Sequence, residues 1–165
     1  AAVLCALDAL ELPVAMQEIR RGLAEVTLAG RFQVLPGRPQ VILDVAHNVE
    51  AASNLAENLA ASGFAPETIA VCGMLRDKDI AGVLREMAPR ITQWHLASLP
   101  GPRGAQASQL ASQLRGKAVY EHASVDEAFS AARAAASEND KIVVFGSFLT
   151  VGEVFAWVKR RRSRH

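Results

Sequence analysis

From Arg31 onward the chain alternates between short apolar runs and segments whose apolar residues recur at helical spacing, and this alternation limits the fold most. The apolar runs predict strands at 41–46, 68–72, 91–97, 118–121 and 141–145. The helical patterns predict helices around 52–59, 80–87, 108–114, 124–136 and 150–158. Because strands that alternate with helices need crossover connections, the sequence predicts a doubly wound α/β domain, with a mostly parallel sheet and helices on both faces.

Two of these helices are predicted to begin with a capping box, in which a hydroxyl and a carboxylate three residues apart each accept from the other's backbone amide. The pairs are Ser124 with Glu127 and Thr150 with Glu153. Both helices should therefore begin beside the hydroxyl residue.

The first thirty residues have a different pattern. Apolar stripes at 3–10 and 16–26 predict two short helices, which are separated at Pro13 and ended by Gly30. Residues 1–30 are therefore expected to belong to a neighbouring domain, and residues 31–165 to form the α/β domain.

Half of the residues are hydrophobic, which is typical of a globular domain, yet no apolar run approaches the roughly 20 residues that a membrane-spanning helix needs. The apolar start includes Asp8 and has no basic residue before it, so it is not expected to act as a signal peptide. Cys5 and Cys72 have no metal-ligand spacing and are expected to be buried thiols in a reducing cytoplasm.

The net charge of +1 conceals an uneven distribution of charge. Five of the 18 basic residues lie in 159–165, which leaves 13 basic against 17 acidic residues in the rest of the chain. Cations at the end of a helix usually complement the helix dipole, and no aromatic residues are interleaved with this tail, so nucleic-acid binding is not expected.

Four predicted strands end in polar or glycine-rich segments, at 44–48, 73–79, 99–104 and 146–150. Ligands of doubly wound folds bind beyond the carboxyl ends of the strands, and a parallel sheet brings these ends to one edge. We therefore expect the four segments to meet at one binding site.

In the first of these segments, Asp44 interrupts an apolar run, where a carboxylate needs partners. It could accept hydrogen bonds from ribose hydroxyls or from backbone amides of the following loop, and the pattern favours neither. His47 could orient a carboxylate or phosphate, or it could lie on a surface loop. Asn48 could contact a ligand but is more typical of a helix N-cap.

The other segments leave similar alternatives. Lys78 could pair with an anion and Asp79 could cap the next helix, although a solvated charged turn is the commoner pattern. Arg103 lies between glycines and could fork onto a phosphate or carboxylate, or belong to a plain turn. Ser147 and the amides near it could hold an anion, or its hydroxyl could make a local capping bond.

Several motifs that would identify a ligand are absent from the sequence. It has no G-x-x-x-x-G-K-[ST] phosphate loop, no G-x-G-x-x-G dinucleotide fingerprint, no G-x-S-x-G elbow and no zinc-ligand spacing. The chain is therefore not expected to cradle a triphosphate or bind a dinucleotide in the usual way.

The chain resembles the Mur ligase family, and within it the bacterial folylpolyglutamate synthases/dihydrofolate synthases, in five segments that occur in order: GRFQ, VILDVAHN, GMLRDKD, GPRGA and GSFLTVGEV. DVAHN marks the wider family, whereas GMLRDKD and GSFLTVGEV are more specific to the folate enzymes. The resemblance implies a Rossmann-like C-terminal domain behind a larger ATPase domain, whose last helices would be residues 1–30. Ala29 and Val49 stand where the family often has proline, but neither change removes a chemical group.

The implied reaction is ATP-dependent amide formation. A carboxylate of dihydropteroate, or of a folate's terminal glutamate, is phosphorylated, and the amino group of L-glutamate then attacks the acyl phosphate. The resemblance implies that ATP is bound by Arg31 and Asp44, that glutamate is bound by His47 and Ser147, and that further ligand contacts come from Asn48, Lys78, Asp79 and Arg103. No catalytic or metal-binding residue is assigned to this chain, because the phosphate loop and most Mg²⁺ ligands would belong to the ATPase domain.

The implied partners are ATP, Mg²⁺, L-glutamate, dihydropteroate or a folate, and the ATPase domain of the same polypeptide. The expected protein is a cytoplasmic monomer that binds neither nucleic acid nor a membrane. By itself the chain is expected to be inactive.

Three other interpretations remain at this point. Another Mur-type amino-acid ligase would share DVAHN, although the GMLRDKD segment argues against it. A receiver-like module with Asp44 as phosphoacceptor would need an acidic cluster beside it and a lysine after the last strand, whereas Lys141 precedes that strand. A non-catalytic binding module would also describe how the chain behaves by itself.

Overall fold

The computed structural model describes residues 9–10, 14–25 and 28–162. Most of the apolar stripe at 3–10, together with Cys5, lies outside the described residues. Cys72 is a buried free thiol, as predicted, and burial raises its pKa because the thiolate would lose its hydration. Within the described ranges, no helix combines the length and the apolar content needed to cross a bilayer.

The described elements are one helix, followed by six strands and five further helices. Helix α1 is Met16–Glu25. The strands are β1 (Gln33–Leu35), β2 (Gln40–Leu43), β3 (Thr68–Cys72), β4 (Gln93–Ala97), β5 (Ala118–His122) and β6 (Lys141–Phe145). The helices are α2 (Val49–Ala61), α3 (Ile80–Met87), α4 (Ala107–Ala111), α5 (Val125–Ala135) and α6 (Phe148–Arg162). All five strands and all five helices predicted after Arg31 are present, with ends that differ by a few residues.

The strands form one sheet in the order β1-β2-β6-β3-β4-β5. All neighbours from β2 to β5 are parallel, whereas β1 pairs antiparallel with β2. Strand β1 was not predicted, because it has only three residues and its central Val34 is half exposed, so it leaves no buried run in the sequence.

The helices cover both faces of the sheet. Helices α2, α3 and α4 pack on one face, and α5 and α6 pack on the other. The chain advances across the sheet from β2 through β3 and β4 to β5 and then returns to β6. Because crossover connections are right-handed, this reversal puts α5, which connects β5 to β6, on the opposite face. Helix α6 follows the last strand and packs beside α5 on that face. The predicted doubly wound α/β fold is confirmed.

The two predicted capping boxes differ from the structure. The Ser124 Oγ accepts from the Glu127 amide at 3.2 Å, but the Glu127 carboxylate accepts from the Ala123 amide and not from that of Ser124. The box at Thr150 is wrong, since α6 begins at Phe148 and the fully buried Thr150 hydroxyl donates to the Gly73 carbonyl at 2.8 Å. The Thr150 hydroxyl therefore joins the first turn of α6 to the loop after β3, and it does not cap its own helix.

Candidate functional site

A crevice is expected beside the carboxyl end of β6, which lies between β2 and β3. The chain leaves β2 and β3 toward the face covered by α2 and α3, but leaves β6 toward the opposite face with α6. Connections that diverge in this way open a crevice at the carboxyl ends of the strands, where doubly wound folds bind ligands.

Backbone hydrogen bonds tie the loops of this edge together. The Gly146 amide donates to the Ala46 carbonyl at 2.9 Å, which joins the loops after β6 and β2. The Arg76 amide donates to the Arg103 carbonyl at 2.9 Å, which joins the loops after β3 and β4. With the bond from Thr150 to Gly73, all four polar segments meet at one edge of the sheet, as predicted.

Asp44 is buried directly after β2 and both of its carboxylate oxygens accept backbone amides. Oδ1 accepts from Ala46 and Oδ2 from Phe32, each at 2.8 Å. Phe32 has φ = 40°, a left-handed conformation that a phenylalanine adopts only when other contacts hold it. Asp44 therefore organises the turn before β1. This is the backbone-amide alternative of the sequence analysis, while its contact with ribose stays a prediction.

The same turn positions Arg31 beside Asp44. The Gly30 carbonyl accepts from the Val45 amide at 2.8 Å, and the Gly30 amide donates to the Gln33 side chain at 3.0 Å. The Arg31 side chain is exposed and makes no hydrogen bond or ion pair with any residue that the structure describes. Its guanidinium is therefore available to an anion near the end of β2.

His47 has a defined tautomer. Its Nδ1 lies 2.8 Å from the Val45 carbonyl oxygen, and since a carbonyl only accepts, Nδ1 must have the proton. The other ring nitrogen, Nε2, is then free to bind a ligand. The next residue, Asn48, is the N-cap of α2, and its Oδ1 accepts from the Ala51 amide at 2.8 Å. The N-cap interpretation of Asn48 is thus confirmed.

Ser147 immediately precedes α6 and is buried. Its Oγ accepts from the Leu149 amide at 3.1 Å, which leaves the hydroxyl proton free for an acceptor. This is the local capping bond that the sequence allowed. Gly146 before it has φ = 107°, and a Cβ there would lie 2.6 Å from the Gly73 carbonyl oxygen. Only glycine can therefore bring the α6 start this close to the loop after β3.

The charged groups of the site lie on the loops after β3 and β4. The Arg103 guanidinium donates three hydrogen bonds of 2.9 to 3.2 Å to the Asp77 carboxylate. Lys78 Nζ lies 3.8 Å from the same carboxylate. The hydrogen bonds from Arg103 lower the pKa of Asp77, and Asp77 in turn raises the pKa of Arg103. Both side chains are exposed, so this pair orients Arg103 more than it stabilises the fold.

Asp79 has a structural role in the same loop. Its Oδ1 accepts from the Gly82 amide at 2.9 Å, so Asp79 is the N-cap of α3. This is the helix-capping role that the sequence analysis offered beside a solvated turn. The carboxylate of Asp79 thus fixes the start of α3 next to Lys78.

A pocket of about 150 Å³ lies at the centre of this edge. Its lining includes four of the predicted site residues, namely His47, Lys78, Arg103 and Ser147, together with Leu75, Gly146 and Phe148. The other predicted residues, Arg31, Asp44, Asn48 and Asp79, are not part of this lining. The pocket has three basic side chains and one free hydroxyl, which suits a ligand with carboxylate groups.

Sequence reasoning missed two members of the site. Asp77 was not singled out, although it lies within GMLRDKD, because nothing local indicates that its partner is 26 residues away. Phe148 was missed because an apolar residue at a helix start is expected to be buried, whereas it is 63% exposed and its ring lies 6.2 Å from that of His47. Among the described residues, no group of three or more His, Cys, Asp or Glu side chains could hold a metal ion.

Comparisons with known proteins identify the family of this chain. Residues 30–148 match the family model described as Mur ligase, glutamate ligase domain. The chain is 43% identical over 163 residues to the dihydrofolate synthase/folylpolyglutamate synthase of Escherichia coli K12, covering 99% of this chain and 38% of that protein. It thus spans about two fifths of the length of this curated relative.

Solved structures give the same result. The E. coli FolC structure with DHPP and ADP superposes with a TM-score of 0.90 at 43% identity, over 96% of this chain and 38% of that one. A bifunctional folylpolyglutamate synthase/dihydrofolate synthase with Mn, AMPPNP and L-glutamate bound superposes with a TM-score of 0.86, also at 43% identity, over 94% of this chain and 38% of that one. The chain therefore belongs to the Mur ligase family, and in both fold and sequence it is similar to the folylpolyglutamate synthase/dihydrofolate synthase branch.

Proposed function

We propose that this chain is the C-terminal domain of an ATP-dependent ligase that joins L-glutamate to dihydropteroate, to reduced folates or to both through an acyl phosphate. The observation that supports this most directly is the convergence of His47, Lys78, Arg103 and Ser147 on one small pocket at the carboxyl edge of the sheet. The relatives reported above are named as dihydrofolate synthases/folylpolyglutamate synthases, and one of the related structures was solved with L-glutamate bound.

In this proposal the pocket holds the incoming glutamate. Its carboxylates are matched by the cations of Lys78 and Arg103, by Nε2 of His47 and by the Ser147 hydroxyl. Because Nδ1 of His47 is tied to the Val45 carbonyl, the imidazole cannot rotate freely, and Nε2 donates to a carboxylate in the imidazolium form, in which both ring nitrogens have a proton. When both carboxylates of glutamate are fixed, its amino group points toward the carbon that it attacks. This orientation is how the pocket would accelerate amide formation.

The nucleotide is assigned to the end of β2. Arg31 supplies an exposed guanidinium for phosphate, and Asp44 keeps one lone pair on each oxygen that a ribose hydroxyl can approach. ATP supplies the phosphoryl group that activates the folate carboxylate. The described residues offer no group of His, Cys, Asp or Glu side chains that could hold Mg²⁺, and we assign the metal to the preceding ATPase domain.

The domain boundary is proposed near residue 30. Met16 and Leu28 are 63% and 60% exposed, although both are large apolar residues. Such side chains are usually covered by a partner, so we assign residues 1–30 to the end of a preceding ATPase domain and 31–165 to this domain. The free Cys72 thiol supports a cytoplasmic location. We propose that the whole ligase acts as a monomer.

Steady-state kinetics of the full-length ligase test these assignments. His47→Ala and Ser147→Ala each remove one hydrogen bond to a charged group, so the KM for L-glutamate should rise about tenfold or more while the KM for ATP stays unchanged. Arg31→Ala should have the converse effect and raise the KM for ATP alone.

Arg85→Ala is the matched control, because Arg85 is exposed on α3 and does not line the pocket. A rise in the KM for ATP with an unchanged KM for glutamate in the His47 and Ser147 variants would contradict the assignment of the pocket. A full-length enzyme that adds another amino acid in preference to L-glutamate would instead identify a different Mur-type ligase.

A further inference from the structure

A second cavity lies at the opposite end of the sheet from the pocket of the proposed active site. It is lined by the loop 36–39 between β1 and β2, by the start of β2, and by the C-terminal turns of α6. Helix α6 begins at the carboxyl edge and runs back for 15 residues, so its end lies about 20 Å from the active-site edge. This cavity measures about 350 Å³, more than twice the volume of the first pocket.

The charge of this cavity is entirely positive. Three arginines line it: Arg38 from the loop, Arg133 from α5 and Arg161 from α6. None of its lining residues is acidic. The carboxylate of Asp126 on α5 accepts from Arg160 at 2.6 Å, so its charge is already paired.

Trp157 organises two of the three guanidiniums. Cζ of Arg161 lies 4.6 Å, and Cζ of Arg133 lies 5.5 Å, from the centroid of the Trp157 ring. The indole itself is fixed, because Phe129 packs edge-on at 5.0 Å and the indole Nε1 donates to Ser130 Oγ at 3.2 Å. A guanidinium that contacts an aromatic ring through its face keeps its N–H edge for an oxyanion.

This arrangement decides between two kinds of ligand. A nucleobase that stacked on Trp157 would compete with Arg133 and Arg161, whose guanidiniums already contact this ring. An anion with several phosphate oxygens needs guanidinium edges converging from different directions, which the loop, α5 and α6 supply.

We propose that this cavity is a binding site for a small multivalent phosphate anion, held by Arg38, Arg133 and Arg161 around the fixed Trp157 ring. The site is separate from the glutamate pocket, and the proposal does not depend on the ligase function. Pyrophosphate has the charge and the size that the cavity accepts, so it is the probe of choice.

The chain has two tryptophans, and this permits a test with an internal reference. In ¹H–¹⁵N NMR spectra of the ¹⁵N-labelled 165-residue chain, pyrophosphate added at constant ionic strength should shift the indole signal of Trp157 in a saturable way. The indole signal of Trp94, which is fully buried in the core on the other face of the sheet, should not move. Orthophosphate should bind more weakly, because it has fewer charges and fewer oxygens.

Single substitutions identify the site. Arg38→Gln and Arg161→Gln should each weaken pyrophosphate binding about tenfold. Arg38 is not one of the two arginines that form cation–π contacts with Trp157, so its variant leaves those contacts in place. Two controls remove the same charge elsewhere: Arg85→Gln on α3, and Arg103→Gln in the glutamate pocket. Both should bind pyrophosphate as the unmodified chain does.

Three results would overturn the proposal. The first is a Trp157 signal that stays fixed at millimolar pyrophosphate. The second is an equal shift of both indole signals, which would indicate a general effect of the salt. The third is a loss of binding with Arg103→Gln but not with Arg38→Gln, which would assign the anion to the glutamate pocket.

Discussion

Replacing Asp44 by alanine should destabilise this domain far more than removing an ordinary surface carboxylate. The substitution leaves the amides of Ala46 and Phe32 without their acceptor. Ala46 is fully buried, so its unpaired amide costs about 1–3 kcal/mol. Phe32 is half-buried and water can replace part of its bond, which adds on the order of 1 kcal/mol. The free energy of unfolding should therefore fall by about 2–4 kcal/mol in total.

The measurement is urea unfolding of the chain followed by far-UV circular dichroism. With a slope of about 2 kcal/mol per molar urea, the midpoint of Asp44→Ala should drop by roughly 1–2 M. Asp126→Ala is the matched control, because this carboxylate is half exposed and pairs with an exposed Arg160. The free energy of unfolding of Asp126→Ala should fall by less than about 1 kcal/mol. Equal losses in the two variants would refute the structural role of Asp44.

The same result changes how the contact with ribose must be tested. Asp44→Ala confounds a nucleotide effect with a folding effect, whereas Asp44→Asn keeps one carbonyl oxygen for a backbone amide. In a full-length ligase that retains its circular dichroism spectrum, Asp44→Asn should raise the KM for ATP about tenfold if the carboxylate binds ribose. An unchanged KM would mean that Asp44 acts only on the backbone.

Three further outcomes are expected. Burial and, to a smaller extent, the nearby His122 lower the pKa of His95 to about 4 from its usual 6.5, so between these pH values only the unfolded chain takes up the proton. The free energy of unfolding should therefore fall as the pH drops from 6.5 to 4. His95→Gln should flatten this dependence, which urea unfolding at pH 7 and pH 5 would measure. Gly146→Ala should lower the free energy of unfolding by about 2–4 kcal/mol, because its Cβ would collide with the Gly73 carbonyl. Gly152→Ala, in an open part of α6, should not be destabilising, and an equal loss of unfolding free energy in the two variants would contradict this prediction. The chain alone, incubated with ATP, Mg²⁺, L-glutamate and dihydropteroate, should form no glutamylated product, and turnover free of contaminating full-length enzyme would overturn that expectation.

The strands of this fold were predictable because most of them are buried on both faces. All five residues of β6 are buried, so its sequence is an uninterrupted apolar run after Lys141. Lys141 itself is buried because its ammonium donates to the Ser62 carbonyl and hydroxyl and to the Gly63 carbonyl. The short edge strand β1 escaped prediction for the opposite reason. Val34 is half exposed and its two neighbours are only partly buried, and the strand reaches β2 through the turn at Phe32.

The site residues divide in a similar way between local and distant partners. Asn48 and Asp79 cap helices whose amides lie three residues ahead, so sequence spacing alone indicates their role. Asp44 binds the Phe32 amide 12 residues away, and Arg103 binds Asp77 across 26 residues. No local pattern specifies such pairs, because the sheet order decides which loops become neighbours.

The pairing of Arg103 with Asp77 also limits what this domain does alone. An incoming carboxylate must share Arg103 with Asp77, so Lys78, His47 and the Ser147 hydroxyl have to supply much of the binding. At the start of α6, beside this pocket, Phe148 and Leu149 are 63% and 48% exposed, and apolar side chains in such positions are stabilised when another surface covers them. Amide formation further requires that glutamate, the folate carboxylate and the γ-phosphate meet in one water-excluding space. A domain that offers one incompletely covered pocket supplies a single wall of that space, and closure against a second domain would both cover the apolar side chains and bring the reacting groups together.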